Sequence, residues 1–297
     1  MKQLLRRITP TAIEYRILHS PLYQKNRAKK LATSSKRIDI CAAQIALGFH
    51  LSNNPPLSGK VCLEMGSGWV LSHALVCHLL GAEKVIATDI THNAYPEFLY
   101  DALHKSVISV IRDILSPFED HSLIRSRLDN LLSIQRFDSD VLMDLGIEYL
   151  APIDFANKRL SIPVDFIYSM SVLEHVPCED VQRVLGNLIA DLSEDGTMLH
   201  FIHLEDHEDT PGDPFRFFSI SSDKYSRHYQ ESRGNRIRKS SWQGYFDTLD
   251  NTRSEFIYEW IRRDKALPNH IDSSIPFQDE VDLRTSHIGV YTRKMKL

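Results

Sequence analysis

The stretch "KVCLEMGSGW" (60–69) constrains this chain more than any other. A short apolar run enters two glycines one residue apart, with Glu64 just before them. "VLSHALVCHLLGA" then reads as a helix, and Gly81 is placed to end it. A second apolar run, "KVIATDI", follows and carries Asp89 at its end, 23 residues after Gly66. Strand, glycine loop, helix and strand make a βαβ unit. That order predicts a parallel sheet with helices on both faces.

The pattern continues with one interruption. About sixty residues separate Asp89 from the next strand, "IEYLAPI", where a simple crossover needs roughly half as many. Leu103, Val107, Val110, Ile111 and Ile114 form one apolar stripe at helical spacing. Leu123, Ile124, Leu128, Leu131 and Leu132 form another. Residues 93–144 are therefore read as a helical insertion, covering the C-terminal edge of the sheet or packing as ordinary helices. "VDFIYSM" is the next strand, "CEDVQRVLGNLIADL" a helix, "EDG" a turn and "TMLHFIHL" a strand. "SEFIYEWIRR" and "HIGVYTRK" are two further strand candidates. Before the sheet, Ile38, Cys41, Ala42, Ile45 and Phe49 recur at helical spacing, and "SNNPPLSG" marks a boundary. Residues 1–57 form a basic helical extension and 58–297 the α/β domain.

Composition removes several classes. An apolar share of 42% with 25% charged residues is that of a globular chain with a sizeable core. Cys41, Cys62, Cys77 and Cys178 are scattered with no C-x-x-C pair, which argues against a disulfide framework or structural zinc. The uncharged stretch Met65 to Ala82 holds the glycine loop and two histidines and makes a poor bilayer span. No secretory signal is recognisable, and a cytoplasmic protein is expected. Residues 1–37 hold ten Lys/Arg and one acid, Glu14, while the remainder has 25 against 38. Such a segment is a set of solvated helix faces or a peripheral contact with an anionic membrane surface. The acidic body gives no long phosphate track, so nucleic acid is not expected as partner.

The loop's own chemistry narrows the ligand. The dinucleotide fingerprint needs a third glycine where Leu71 stands. A carboxylate at Glu64 repels a pyrophosphate but accepts from a cationic amine. S-adenosylmethionine, with an ammonium, a carboxylate and a ribose but no phosphate, suits these features. An acid at Asp89 can accept from both ribose hydroxyls.

"VCLEMGSGW", "VIATDI", "YLAPIDF" and "VDFIYSMSVLEHV" together resemble the class I S-adenosylmethionine-dependent methyltransferases, over about residues 58–297. The resemblance implies a Rossmann-like doubly wound, mostly parallel seven-stranded sheet. It implies that Glu64, Gly66, Ser67 and Gly68 line the methionine end of the cofactor and that Asp89 binds the ribose. Ile153 would lie against the adenine, Asp154 would accept from its amino group, and Ser169 and Met170 would flank the cofactor. Val70 stands where many members have another glycine. "FIHLEDH" and "NRIRKSSWQGYFD" further resemble methyltransferases of bacterial surface polysaccharides and sugars.

Methyl transfer to a hydroxyl usually needs a base. The candidates follow the fifth strand in "HFIHLEDHED", at the edge where such folds bind substrate. His207 is the expected base, with Asp206 beside it and His203 as alternates. Strand alternation puts His203 and Glu205 on the face opposite Leu204. His200, His203, Glu205, Asp206 and His207 match no helix-borne ligand spacing, and no metal is expected. His175, in "LEHV", is read as capping or packing a helix start. Arg236 and Arg238, near Arg233 and Lys239, are candidates for gripping an acidic sugar or sugar nucleotide. Two other readings stay open: a cofactor-binding scaffold without turnover, and a methyltransferase of nucleic acid or protein. The Asn/Asp-Pro-Pro-aromatic signature of amino-methylating enzymes is absent at "SMSV".

Overall fold

The computed structural model describes residues 20–33 and 37–296. Seven strands form one sheet: β1 (Val61–Met65), β2 (Lys84–Thr88), β3 (Ile147–Leu150), β4 (Val164–Met170), β5 (Leu192–His203), β6 (Thr252–Ile261) and β7 (Thr285–Lys294), in the order β3-β2-β1-β4-β5-β7-β6. The first five are mutually parallel, while β7 runs antiparallel to both β5 and β6. The expected Rossmann-like α/β fold is therefore the one observed. The "EDG" turn lies inside β5 as an irregularity, with Asp195 at φ 61° and the register against β4 jumping from Val164↔Leu192 to Phe166↔Thr197.

Period-two alternation divides the core. On one face, Cys62, Phe166, Tyr168, Leu199 and Phe201 meet α1 (Pro21–Thr33), α2 (Arg37–Ser52) and α3 (Ser72–Leu79). The helices of the 93–144 segment share this layer: α4 (Leu99–His104), α5 (Ile108–Leu115), α6 (His121–Ser133) and α7 (Ser139–Asp144). On the other face, Leu63, Ile86, Ile167, Met198 and Ile288 meet α8 (Val181–Asp191) and α10 (Lys239–Asp247), which contributes Trp242 and Phe246. A third cluster, around Phe215, Phe217, Phe218 and Tyr225, includes Leu283 of α11 (Glu280–Arg284) and lies near α9 (Arg227–Arg233).

The 93–144 segment follows the packing alternative. Ile111, Leu115, Ile124, Leu128 and Leu131 are buried against the other helices of the first layer. The single stripe expected from Leu103 to Ile114 is split, because the Val107 amide donates to both oxygens of Asp39 on α2 (3.1 and 3.2 Å) and α5 restarts there. Ile38, Cys41, Ala42, Ile45 and Phe49 of α2 are all buried, so the described part of the N-terminal extension shares the core of the sheet. The basic segment 1–37 lies mostly outside the described residues. Among those described, no helix is long and apolar enough to cross a membrane. All four cysteines are free thiols.

Candidate active site

The C-terminal ends of β1 and β2 meet as the sequence implies. Gly66 and Ser67 both donate their amides to the Thr88 carbonyl (2.9 and 2.8 Å). Gly68 donates to Asp89 Oδ2 at 3.0 Å, and Asp89 Oδ1 accepts from Thr91 N at 3.2 Å. Burial raises the Asp89 pKa, opposed by amides that include those of Thr91 and Gly68. The Ile153 amide reaches the Asp89 carbonyl at 2.8 Å, which joins the loop after β3 to the same edge.

The two glycines do different work. Gly66 has φ 77°, and a Cβ there would lie 2.4 Å from Val172 Cγ2. Gly68 has φ 64°, but a Cβ there would meet nothing within 4 Å. Gly66→Ala should therefore combine left-handed strain of about 1–2 kcal/mol with about 1–3 kcal/mol of overpacking. Gly68→Ala should carry the strain alone, while pointing its methyl into the open crevice. Urea midpoints should fall clearly further for Gly66→Ala; equal losses would show that Val172 yields without cost.

Several expected cofactor residues are oriented otherwise. Glu64 is 3% exposed, with Oε1 3.4 Å from His73 Nδ1 beneath α3. Burial lowers the His73 pKa, but Cys41 and Glu64 outweigh it and push it up to about 9. Glu64 thus faces a buried imidazole and not the open crevice. Ser169 is fully buried, its Oγ 2.7 Å from His200 Nδ1. Its side chain is on the α10 face, turned to His200 and away from the Met170 side. Met170, half-buried, packs on the opposite face. Asp154 Oδ1 accepts from Ala156 N (2.9 Å) and Oδ2 from Asn157 Nδ2 (2.6 Å), so it caps a turn.

His200 gives a test of this arrangement. Burial pushes its pKa down to about 3 from 6.5. The unfolded chain takes up this proton as pH falls through 6.5, and the folded chain does so only near 3. The contribution of the neutral ring is therefore lost as pH falls across that window. His200→Gln should flatten the dependence of stability on pH by about one proton, roughly 1.4 kcal/mol per unit between about pH 4 and 6. Parallel stability curves for the two proteins would contradict the buried neutral ring.

The acceptor end, after β4 and β5, contains a different partnership from the expected one. Asp206 is 1% exposed and bound by Arg233 through Nε (2.9 Å) and Nη2. It is committed to that guanidinium and does not orient His207. The carboxylate beside His207 is Glu174, with Oε1 3.6 Å from His207 Nε2. Burial pushes the Glu174 pKa up to about 8, despite nearby backbone dipoles and the Ser171 hydroxyl. His175 packs edge-on to His207, with centroids 4.6 Å apart. Burial holds the His175 pKa down at about 4. His203 does share a face with Glu205, as alternation requires, with Nε2 2.8 Å from Oε2. Glu205 Oε1 is taken by Arg262 at 2.9 Å, and the His203 ring stacks on His287 at 4.1 Å.

The arginine expectation divides. Arg238 is fully buried and donates to the Leu204 carbonyl at 2.7 Å, so it is a structural clamp and not a substrate grip. Arg236 donates to the Ile220 carbonyl (2.6 Å) and stacks on Tyr225 (3.8 Å). It also lines a cavity of about 340 Å³ with Cys178, Asn235 and Tyr245.

The strand order and this edge define a Rossmann-like α/β protein. No protein-family model matches the chain, and no curated protein does. Among solved structures it is similar to an S-adenosylmethionine-dependent methyltransferase from Mesorhizobium loti, with 16% identity, 82% of this chain and 95% of that one covered, and a TM-score of 0.45. It is also similar to the YcgJ protein from Bacillus subtilis, with 12% identity, 86% and 100% covered, and a TM-score of 0.45.

Proposed function

We propose that the protein is an S-adenosylmethionine-dependent methyltransferase acting on an oxygen of a small-molecule or carbohydrate acceptor. The observation that carries this reading is the convergence of the Gly66–Gly68 backbone and the Asp89 carboxylate at one sheet edge. The residues fit the group: the space over Gly68 is open, and Ser67 Oγ is a buried hydroxyl without a hydrogen-bond partner. Asp89 would hold the ribose hydroxyls and Ile153 the adenine face, with Asp154 offering a shared oxygen to the adenine amine. The bound cofactor would supply an electrophilic methyl group, so the chain's task is to position the acceptor. His207 and Glu174 would meet the acceptor hydroxyl and manage its proton. Arg236 is the remaining candidate for an acidic group on the acceptor. A basic N-terminal segment suits acceptors held at an anionic membrane surface.

Calorimetry of the full chain with S-adenosylmethionine is the first test, followed by turnover on glycans, small hydroxylated acceptors and nucleic acids. Binding with turnover on a hydroxylated acceptor is expected. Binding without turnover on any acceptor would favour a scaffold, turnover on nucleic acid would replace the acceptor class, and absence of binding would remove the reading.

A further inference from the structure

We propose that Glu174, His175 and His207 form a binding site for one divalent transition-metal ion of the Zn2+ type, at the acceptor end of the crevice. One ligand atom from each lies within 4.8 Å of the others. Glu174 Oε1 and His207 Nε2 are 3.6 Å apart, close to the separation of two ligands on one tetrahedral ion, about 3.3–3.6 Å for bonds near 2.1 Å.

The independent observation is the carboxylate itself. Glu174 is 1% exposed, and neither of its oxygens makes a hydrogen bond of ordinary geometry, although the Ser171 hydroxyl and backbone amides lie near. His175 Nδ1 is likewise buried without one. Burying a carboxylate with only weakly placed donors is costly, and a cation offsets that cost directly. The ligand backbone is held in place from outside the cluster. Asn235 donates from its amide to the Glu174 carbonyl (2.7 Å) and from Nδ2 to the Leu173 and Val176 carbonyls (3.0 and 2.8 Å). The His207 amide donates to the Arg233 carbonyl at 3.1 Å.

The donor set selects the ion. Two imidazoles and one carboxylate suit Zn2+ and its first-row neighbours, whereas Mg2+ and Ca2+ prefer an all-oxygen shell. The neighbouring group of His203, Glu205 and His287 is also close-set. Its carboxylate, however, is already paired with Arg262 at 2.9 Å and His203 at 2.8 Å. An ion there would have to displace a guanidinium.

Three protein ligands leave a coordination position open, and the His207 side chain is 22% exposed. On the methyltransferase reading, on which this role rests, an acceptor oxygen would take that position. With the ion bound, His207 and Glu174 would act on the O–H proton as ligands of the ion and not as bases: the ion would lower the hydroxyl's pKa and the proton would pass to water.

The test uses the full chain, stripped with chelator, then titrated with Zn2+ by calorimetry and with Co2+ by visible absorption. One ion per chain is expected, with no Mg2+ binding. Glu174→Gln, which preserves volume, and His207→Ala should each weaken Zn2+ binding at least about 100-fold; His287→Asn should not. No Zn2+ binding, equal binding by wild type and Glu174→Gln, or a loss that follows His287→Asn would each overturn the site. S-adenosylhomocysteine titrated into the same stripped protein separates the two proposals. Cofactor binding without ion binding defeats only the metal site, and ion binding without cofactor binding defeats only the methyltransferase reading.

Discussion

Asp89→Ala should weaken S-adenosylmethionine binding by about 2–3 kcal/mol, roughly 30- to 150-fold, because a charged acceptor for two hydroxyls disappears. The loss has two components. The same carboxylate holds Gly68 N at 3.0 Å, so alanine also loosens the loop that the cofactor would cross. Asp89→Asn separates them, since its carbonyl oxygen can still accept from Gly68 without the charge. Its affinity should fall between those of wild type and Asp89→Ala. Asp154→Ala should cost less, because its oxygens are engaged by Ala156 and Asn157 and only one is offered to the adenine amine. Unchanged affinity for Asp89→Ala in calorimetry would sink the proposed cofactor pose.

What the sequence disclosed depended on the range of the interaction. The strands β1, β2 and β4 and the loop between β1 and α3 were legible because apolar runs and glycine punctuation are local signals. Strand alternation also placed His203 and Glu205 together correctly. The same alternation, followed through β4, turns Ser169 onto the face opposite Met170 and Tyr168, where it meets His200. Arg238 looks like a surface cation in a polar stretch. Only the return of β7 and the end of β5 surround it with carbonyls. The break before α5 depends on Asp39, 68 residues away, and no helical periodicity contains that. Asp206 was attractive as a partner for His207 because it is adjacent in sequence. The structure brings Glu174, from the turn after β4, to that imidazole instead. The available signal is the acid–histidine pair in "LEHV" directly after a strand, which the capping or packing of a helix start explains equally well.

The steepest loss of activity should follow His207→Ala, with kcat lowered by about 10²–10⁴-fold, the usual worth of managing a proton in the transition state. Cofactor affinity should barely change, because His207 follows β5 whereas the cofactor loop follows β1. Glu174→Gln should reproduce the effect, since it leaves the volume intact and removes the ionisable carboxyl beside the imidazole. Asp206→Asn should act differently: it breaks the pair with Arg233, so its cost should appear in the urea midpoint before it appears in kcat. His203→Ala should fall between them, because its ring packs on His207 at 4.5 Å while its nitrogen serves Glu205. If turnover survives in His207→Ala but fails in His203→Ala, the reacting group lies one imidazole further along the row. If His207→Ala, Glu174→Gln and His203→Ala all turn over normally, the cluster is structural. Transfer would then rest on positioning alone, which requires an acceptor whose oxygen or other nucleophilic atom arrives already deprotonated.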